Sequence, residues 1–297
     1  MNKYEQALVS AVKQITEIDA AKAASDARWL NGMLRDLAPQ VIGQREHKML
    51  TALLNCEGNR ILAEAAQKPA AARDAEVERL TDAYLAGLSA VPESANRRFR
   101  YTFSKLKKTM KLLLQNLSDE LANCAFVPSA FELKMGMGDG AEGLRYTTDS
   151  GATITLSGIA DRVDLYQRGG KTYVRVVDYK TGVKVFDRSA LENGLDLQMF
   201  YYLFAYCRAD RSGNTLPAGV LYVPVRDELP DAARDTDEEG LRILRDKALR
   251  RSGLLSDDMS LLEAMEHGLE GDGRFIPVSI KTRKGEDEPT LAAKSAV

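Results

Sequence analysis

One stretch of sequence, GIADRVDLYQRGGKTYVRVVDYK at residues 158–180, decides the fold. Two runs of alternating apolar and polar residues flank Gly169-Gly170, and a Gly-Gly pair in that position is a strong signal for a two-residue hairpin turn. In such a hairpin, residues at equal distances from the turn lie opposite each other. We therefore expect Asp161 to face Asp178, with Cβ atoms about 5 Å apart.

The two faces of this hairpin differ in character. Side chains alternate with a period of two, so Lys180 is expected to point the same way as Asp178. Two carboxylates and an ammonium then share one end of an otherwise apolar face. Asp164 has the opposite parity, and we expect it to form a structural ion pair with Arg175, its partner across the hairpin.

The facing carboxylates predict a metal site. Two carboxylates on a half-buried sheet repel each other and are costly to desolvate, and one lysine only partly offsets that cost. Mg²⁺ would resolve the conflict because it prefers oxygen ligands and commonly takes one or two carboxylates; Mn²⁺ can replace it. Lys180 could then hold the attacking water. A lone D-x-K is more often an ordinary surface ion pair, and the coincidence with Asp161 is what favours the metal site.

The remaining patterns predict an α/β fold with a mixed β-sheet and a crossover helix. Residues 2–125 are rich in Ala, Leu, Glu and Lys, which predicts a helical N-terminal lobe. The core, residues 126–235, is predicted to contain strands at 126–134, 153–167, 172–180 and 218–225, and a helix at 189–208 that packs through Leu195, Met199, Leu203 and Tyr206. For residues 236–297 we expect helices at 238–249 and 259–267, a strand at 275–280 and a loose tail.

Composition excludes several classes of protein. The 297 residues are 44% hydrophobic and 28% charged, with no apolar run near the length of a membrane span. The first residues alternate charged and apolar groups rather than forming a signal peptide, so we expect a cytoplasmic protein without membrane contact. The net charge of −2 means that any DNA contact needs a local basic patch. One candidate is a helix face that carries Arg97, Arg98, Arg100, Lys105, Lys107, Lys108 and Lys111. A run of charged residues of this kind is more often a solvated surface.

Three motifs stand in a fixed order: Gly158-Ile159-Ala160-Asp161, Asp178-Tyr179-Lys180, and Gln198 with Tyr202. They resemble the PD-(D/E)xK nuclease superfamily and, within it, the RecB-like branch. The sequence around these motifs is most similar to the C-terminal nuclease domain in the B subunit of AddAB-type helicase-nucleases. This resemblance implies a restriction-endonuclease-like sheet flanked by helices, and a Mg²⁺-dependent exonuclease that processes DNA ends in repair and recombination beside an AddA-type partner subunit.

The resemblance also implies roles for four further residues. His47 falls at the position of a metal-ligating histidine, and Glu132 at an acidic position on the first core strand. Gln198 and Tyr202 lie four apart on one helical face, where they could meet a DNA phosphate or the catalytic lysine. Each residue has an alternative: a surface or core histidine, a solvated glutamate at a strand edge, and polar residues that cap a packed helix.

Two departures from the resemblance concern the ends of the chain. Similar subunits hold an iron–sulfur cluster with one cysteine before the nuclease core and three after it, and Cys56, Cys124 and Cys207 lack that spacing, so we expect no cluster in this chain. The helicase-like N-terminal region is also missing. We therefore expect an excised nuclease domain or a gene fragment.

The sequence predicts a DNA exonuclease in which Asp161, Asp178 and His47 hold Mg²⁺ and Lys180 positions the water. The alternative is a non-catalytic DNA-binding or scaffold module that keeps the nuclease fold. The missing cysteines favour this alternative, and the intact Asp161, Asp178 and Lys180 oppose it. A glycosidase with paired carboxylates is disfavoured, because Lys180 shares their face and few aromatic residues lie nearby.

Overall fold

The computed structural model describes residues 69–87, 97–138, 140–180, 184–225, 233, 235–281 and 290–292. Its strands are β1 (Val127–Met135), β2 (Arg145–Thr147), β3 (Thr153–Thr155), β4 (Gly158–Arg168), β5 (Lys171–Lys180), β6 (Thr215–Pro224), β7 (Ser252–Leu255), β8 (Ile280–Lys281) and β9 (Thr290–Leu291). Five of them form one sheet in the order β1-β4-β5-β6-β7, while β2 pairs with β3 and β8 with β9. Only β5 and β6 are parallel, so the sheet is mixed, as predicted.

The helices flank this sheet. They are α1 (Ala70–Gly87), α2 (Arg97–Ala122), α3 (Arg188–Glu192), α4 (Gln198–Ala209), α5 (Glu238–Leu249) and α6 (Met259–Met265). The parallel pair β5–β6 requires a crossover connection, which α3 and α4 provide. None of the helices in the described ranges is long and apolar enough to cross a membrane.

Two apolar layers hold the helices to the two faces of the sheet. On one face, α2 and α6 pack against β5 and β6, and the layer includes Met110, Leu117, Val177, Leu221 and Met265. On the other face, α4 packs through Met199 and Leu203 against Val163, Val176 and Val220. Neighbouring strand residues enter opposite layers because side chains alternate across a sheet.

The predicted hairpin is confirmed over most of its length. The β4–β5 pairs run from Arg168–Lys171, next to the turn, to Arg162–Val177. Gly169 and Gly170 both have positive φ, 59° and 75°, as a two-residue type I′ turn requires.

The prediction of one continuous helix at 189–208 is wrong. The structure has α3 and α4 instead, separated by a turn in which Gly194 and Asp196 have φ values of 79° and 56°. These left-handed conformations cannot continue a right-handed helix. Leu195 lies in this turn and is 62% exposed rather than packed, whereas Met199 and Leu203 are buried as predicted.

Two predicted strands are also wrong in extent. The run at 153–167 divides into β3 and β4, and β3 pairs with β2, which the sequence patterns did not indicate. At 275–280 only Ile280 lies in a strand. The main-chain N–H groups of Arg274, Phe275 and Ile276 donate to the Glu266 carboxylate instead of to a neighbouring strand.

The predicted N-terminal lobe is described only in part. Residues 70–87 and 97–122 are helical, and Met110, Leu113 and Leu117 of α2 are at most 1% exposed. His47 lies outside the described residues. The division of the chain at residues 125 and 235 stays a prediction, although β7, beyond the second boundary, joins the central sheet.

Candidate active site

Asp161 is joined to the D-Y-K tripeptide by its side chain. The β4–β5 ladder ends at Arg162–Val177, one pair short of the predicted pairing of Asp161 with Asp178. There the main-chain N–H of Tyr179 donates to Asp161 Oδ2, with N and O 2.8 Å apart. The carboxylate of Asp161 therefore takes the place of a strand carbonyl and holds the main chain between Asp178 and Lys180.

Glu132 lies at an irregular point of the neighbouring strand. Pairs on either side of it join Phe131 to Arg162 and Leu133 to Ala160, which leaves Glu132 at the level of Asp161. Glu132 has a φ of 47°, a conformation that is uncommon for a residue with a side chain. A backbone outlier of this kind costs about 1–3 kcal/mol and is often found at functional sites. The structure thus brings this predicted residue to the same part of the sheet as Asp161.

Asp178 and Lys180 form a close ion pair on one face of β5. Lys180 Nζ lies 2.7 Å from Asp178 Oδ2. Asp178 is only 6% exposed, while about a third of the lysine side chain reaches solvent. The predicted shared face is therefore confirmed, and the pair combines a nearly buried carboxylate with an ammonium that a substrate can reach.

Tyr222 lies beside this pair and was not singled out by the sequence patterns. It is the partner of Asp178 in the parallel β5–β6 register. Lys180 Nζ lies 5.9 Å from the centre of its ring, within the range of a cation–π contact. Burial raises the pKa of the Tyr222 phenol, and the nearby Asp178 and Asp196 raise it further, so the phenol stays neutral.

Lys184 adds a second ammonium that the sequence analysis missed. Its Nζ lies 5.7 Å from the Tyr222 ring centre and pairs with the carboxylate of Asp196. Its main-chain carbonyl accepts a hydrogen bond from Ser252 Oγ, which ties this segment to β7. The available signal was the lysine four residues after Lys180, but nothing in the sequence showed that both would meet one aromatic ring.

Gln198 and Tyr202 interact with each other at the start of α4. Gln198 Nε2 donates to the Tyr202 hydroxyl over 2.8 Å. Tyr202 is 3% exposed, and its ring lies so close to Gly158 that a Cβ there would be 2.5 Å from the phenol oxygen. Gln198 is exposed and accessible to a ligand. The Gln198 amide is therefore accessible and is held by the buried Tyr202 hydroxyl.

Asp164 and Arg175 form the predicted structural ion pair on the other face. They are partners in the β4–β5 register, and Arg175 Nη2 lies 2.7 Å from Asp164 Oδ2. Neither side chain is exposed. This prediction is confirmed.

The basic face of α2 has acidic neighbours on α1. Lys107 pairs with Glu78 and Asp82, and Lys111 pairs with Glu78. The hydrogen bonds from these two lysines lower the pKa of Glu78. Lys107 and Lys111 are thus at least partly neutralised within the chain, whereas the side chains of Arg97, Arg98 and Arg100 lie outside the described ones.

The carboxylates fit a hard divalent cation. Mg²⁺ commonly takes one or two carboxylates and keeps several waters, and Asp161 and Asp178 supply such oxygens. Within the described parts of the chain, no three His, Cys, Asp or Glu side chains are grouped as a metal site. His47, the predicted third ligand, lies outside those parts. The donor set present therefore fits Mg²⁺ or Mn²⁺ with two protein ligands.

Comparison with known families agrees with this arrangement. The sequence profile of the PD-(D/E)XK nuclease superfamily matches residues 20–274. The chain belongs to the PD-(D/E)XK nuclease superfamily. The restriction-endonuclease-like fold implied by the resemblance is confirmed by this membership and by the mixed five-stranded sheet.

The relatives of this superfamily member include bacterial proteins that are named as the B subunit of an ATP-dependent helicase/deoxyribonuclease. The protein of Clostridium acetobutylicum is 27% identical over 69% of this chain and 18% of its own length. That of Caldanaerobacter subterraneus subsp. tengcongensis is 32% identical over 63% of the chain and 16% of its own length. That of Clostridium botulinum strain Langeland is 31% identical over 72% of the chain and 19% of its own length. The chain spans less than a fifth of the length of these relatives.

Proposed function

We propose that this chain is a metal-dependent deoxyribonuclease that hydrolyses DNA phosphodiester bonds as an exonuclease. The observation that carries the proposal is the ion pair between the nearly buried Asp178 and the accessible Lys180, with Asp161 bonded to the main chain between them. This combination provides carboxylate oxygens for a cation and an ammonium for a phosphate at one end of the sheet.

The residues take distinct roles in this proposal. Asp161, Asp178 and His47 would hold Mg²⁺ or Mn²⁺, with Glu132 close by. Such a cation, when bound, polarises a phosphoryl oxygen and makes water more acidic. Lys180 would orient the attacking water and donate to the negative charge that develops on the phosphoryl oxygens.

Two exposed or half-exposed groups would position the DNA. Gln198 can donate to or accept from a phosphate or sugar, and Tyr202 fixes the orientation of its amide. Lys184 can exchange the carboxylate of Asp196 for a phosphate, because both are anions that an ammonium binds. The strand would then lie along the edge that these residues share with Lys180.

The proposal includes an assembly and a cellular role. The related proteins are named as subunits of an ATP-dependent helicase/deoxyribonuclease, and we propose that this chain acts with an AddA-type partner subunit in double-strand-break repair and recombination. Its substrate would be cellular DNA, so the proposal also includes a cytoplasmic location.

Degradation of linear DNA tests the proposed activity. The unaltered protein is expected to degrade DNA with Mg²⁺ and to stop when a chelator is added. Asp178→Ala and Lys180→Ala are expected to lose this activity, whereas Arg188→Ala, which alters an exposed ion pair with Glu192, is the matched control. Equal degradation by all four proteins would contradict the proposal.

A non-catalytic scaffold with the nuclease fold is the second candidate. It is favoured by the close approach of Lys180 Nζ to Asp178, which can neutralise the carboxylate without a cation. Calorimetric titration with Mn²⁺ separates the two candidates. Binding at about millimolar concentration or tighter, lost in Asp178→Ala, supports the nuclease. Absence of binding supports the scaffold.

A further inference from the structure

A cluster of charged side chains lies beneath the D-Y-K tripeptide, on the α2 side of the sheet. This buried arginine cluster consists of Glu120, Arg162, Asp164, Arg175 and Arg251, each at most 2% exposed. Three guanidinium groups face two carboxylates. Burying ion pairs costs desolvation energy that their attraction often fails to repay, so stability alone is a weak reason for such a cluster.

Continuous ion pairs join the members of the cluster. Arg162 contacts Asp164 through two nitrogens, at 2.8 and 3.0 Å, and Arg175 contacts the same carboxylate at 2.7 Å. Glu120 joins Arg175 at 3.3 Å and Arg251 at 2.6 Å. The guanidinium of Arg162 is therefore held by Asp164 of β4 and lies 4.0 Å from the carboxylate of Glu120 on α2.

The cluster reaches the active site through Tyr179. Arg162 Nη1 donates to the Tyr179 hydroxyl over 3.0 Å, and the main-chain N–H of the same tyrosine donates to Asp161. Tyr179 is held at its ring by the cluster and at its main chain by a proposed metal ligand.

The two hydrogen bonds of Tyr179 lie next to the proposed metal ligands along both strands. Arg162 directly follows Asp161, and Tyr179 lies between Asp178 and Lys180. The backbone ladder ends at Arg162–Val177, and the two bonds of Tyr179 continue the connection between β4 and β5 beyond it. A displacement of about 1 Å at a reacting centre can lower a rate about 100-fold.

We propose that Arg162 is a positioning residue, which holds the Tyr179 hydroxyl so that Asp178 and Lys180 stay in reach of a cation bound by Asp161. The inference rests on the proposed metal-dependent function. A purely structural role would instead lower stability without changing how tightly the folded protein binds metal.

A matched pair of tyrosine substitutions tests the positioning role. Tyr179→Phe removes only the hydroxyl that Arg162 contacts. Tyr173→Phe is the control, because Tyr173 lies near the other end of β5 and its hydroxyl also accepts from an arginine, Arg168. Mn²⁺ affinity is measured without DNA, from the electron paramagnetic resonance signal of the free ion. Tyr179→Phe, which loosens the residue whose main chain bonds Asp161, is expected to weaken binding about tenfold, the lower end of the loss when support around metal ligands is removed, and Tyr173→Phe to leave it unchanged.

Cleavage at varied Mg²⁺ provides the second readout. For Tyr179→Phe the half-saturating Mg²⁺ concentration should rise, and excess Mg²⁺ should restore most of the rate. Arg162→Lys should shift Mn²⁺ affinity in the same direction and add little in the double variant. Equal Mn²⁺ affinity in the unaltered, Tyr179→Phe and Tyr173→Phe proteins would overturn the positioning role. Absence of Mn²⁺ binding by the unaltered protein would instead overturn the metal site, and with it this role.

Discussion

At the scale of single residues, some features of the active-site end of the sheet follow from the sequence, and others are seen only in the structure. Residue types and spacing alone predict that Asp178 and Lys180 share a face, and the 2.7 Å ion pair agrees. Spacing could not predict Lys184, because its approach to Tyr222 depends on the β5–β6 register. Nor could it predict the left-handed conformation of Glu132, which has a φ of 47° within β1.

Lys184→Met should weaken DNA binding without weakening metal binding. The substitution removes one proposed phosphate contact but leaves Asp161 and Asp178 unchanged. We expect the slope of log affinity against log salt concentration to fall by about 1. Lys171→Met, at the exposed turn at the other end of β5, is the control and should leave the slope as it was. The same slope for both variants would contradict a DNA contact at Lys184.

Glu132→Gly should be more stable than Glu132→Gln. Both variants lose the carboxylate, but only glycine adopts a φ of 47° without a steric penalty. The expected difference in the free energy of unfolding is about 1 kcal/mol, measured by urea titration. Both variants should cleave DNA more slowly if the carboxylate acts near the metal. Equal unfolding free energies would show that residue 132 is not strained.

At the scale of elements, α4 and the hairpin meet at Gly158. Between β5, which carries Asp178 and Lys180, and α4, which carries Gln198 and Tyr202, lie α3 and the turn that follows it. The sequence pattern predicted one continuous helix there. The contact of Tyr202 with Gly158 nevertheless sets where the helix begins relative to β4. A glycine at this position is thus explained by packing, which sequence periodicity does not reveal.

Gly158→Ala should therefore displace α4. Its Cβ would lie 2.5 Å from the Tyr202 ring, so the expected cost is about 1–3 kcal/mol of unfolding free energy. Tyr202→Leu should relieve the overlap, so the double variant should be more stable than the sum of the single effects predicts by about 1 kcal/mol. Thermal or urea unfolding of the three variants measures this coupling. Additive effects would mean that the helix does not rest on this glycine.

The buried arginine cluster should make stability depend on acid. Burial raises the pKa of Glu120, but Arg251, Arg175 and Arg162 outweigh it and hold the pKa at about 2, below the ordinary 4.5. The stabilisation is therefore complete above about pH 4.5 and is lost as pH falls towards 2, with a magnitude of about 3 kcal/mol.

Glu120→Gln tests this dependence. The variant should be less stable at neutral pH by about 3 kcal/mol, because it leaves buried guanidinium groups uncompensated, and its stability should fall less steeply between pH 4.5 and 2. Glu239→Gln is the control, because that exposed glutamate pairs with Arg242 in solvent. The free energy of unfolding is measured by urea titration across this pH range. If it falls as steeply in Glu120→Gln as in the unaltered protein, Glu120 is not the source of the acid dependence.

At the scale of the whole molecule, the sequence predicted the mixed sheet and its superfamily but not every element. The hairpin is specified locally by Gly169-Gly170 and by the alternation of apolar and polar residues, so it could be predicted from the sequence. The strand β7 has four residues, and Glu266 replaces a strand ladder at 274–276, so both depend on contacts between distant parts of the chain. The buried arginine cluster shows both cases. The Asp164–Arg175 pair follows from the hairpin register and was predicted, whereas Glu120 and Arg251 come from distant parts of the chain and were not.

A double-variant cycle on the single-turnover rate of DNA cleavage tests the central claim most directly. Asp161→Asn and Asp178→Asn keep the shape of each side chain and remove its charge. If the two carboxylates hold one cation, each single variant should lower the rate by about 1,000-fold or more at a fixed Mg²⁺ concentration, and the double variant should be no slower than the worse single one. Wild-type cleavage by either single variant, or losses that multiply in the double variant, would contradict the account.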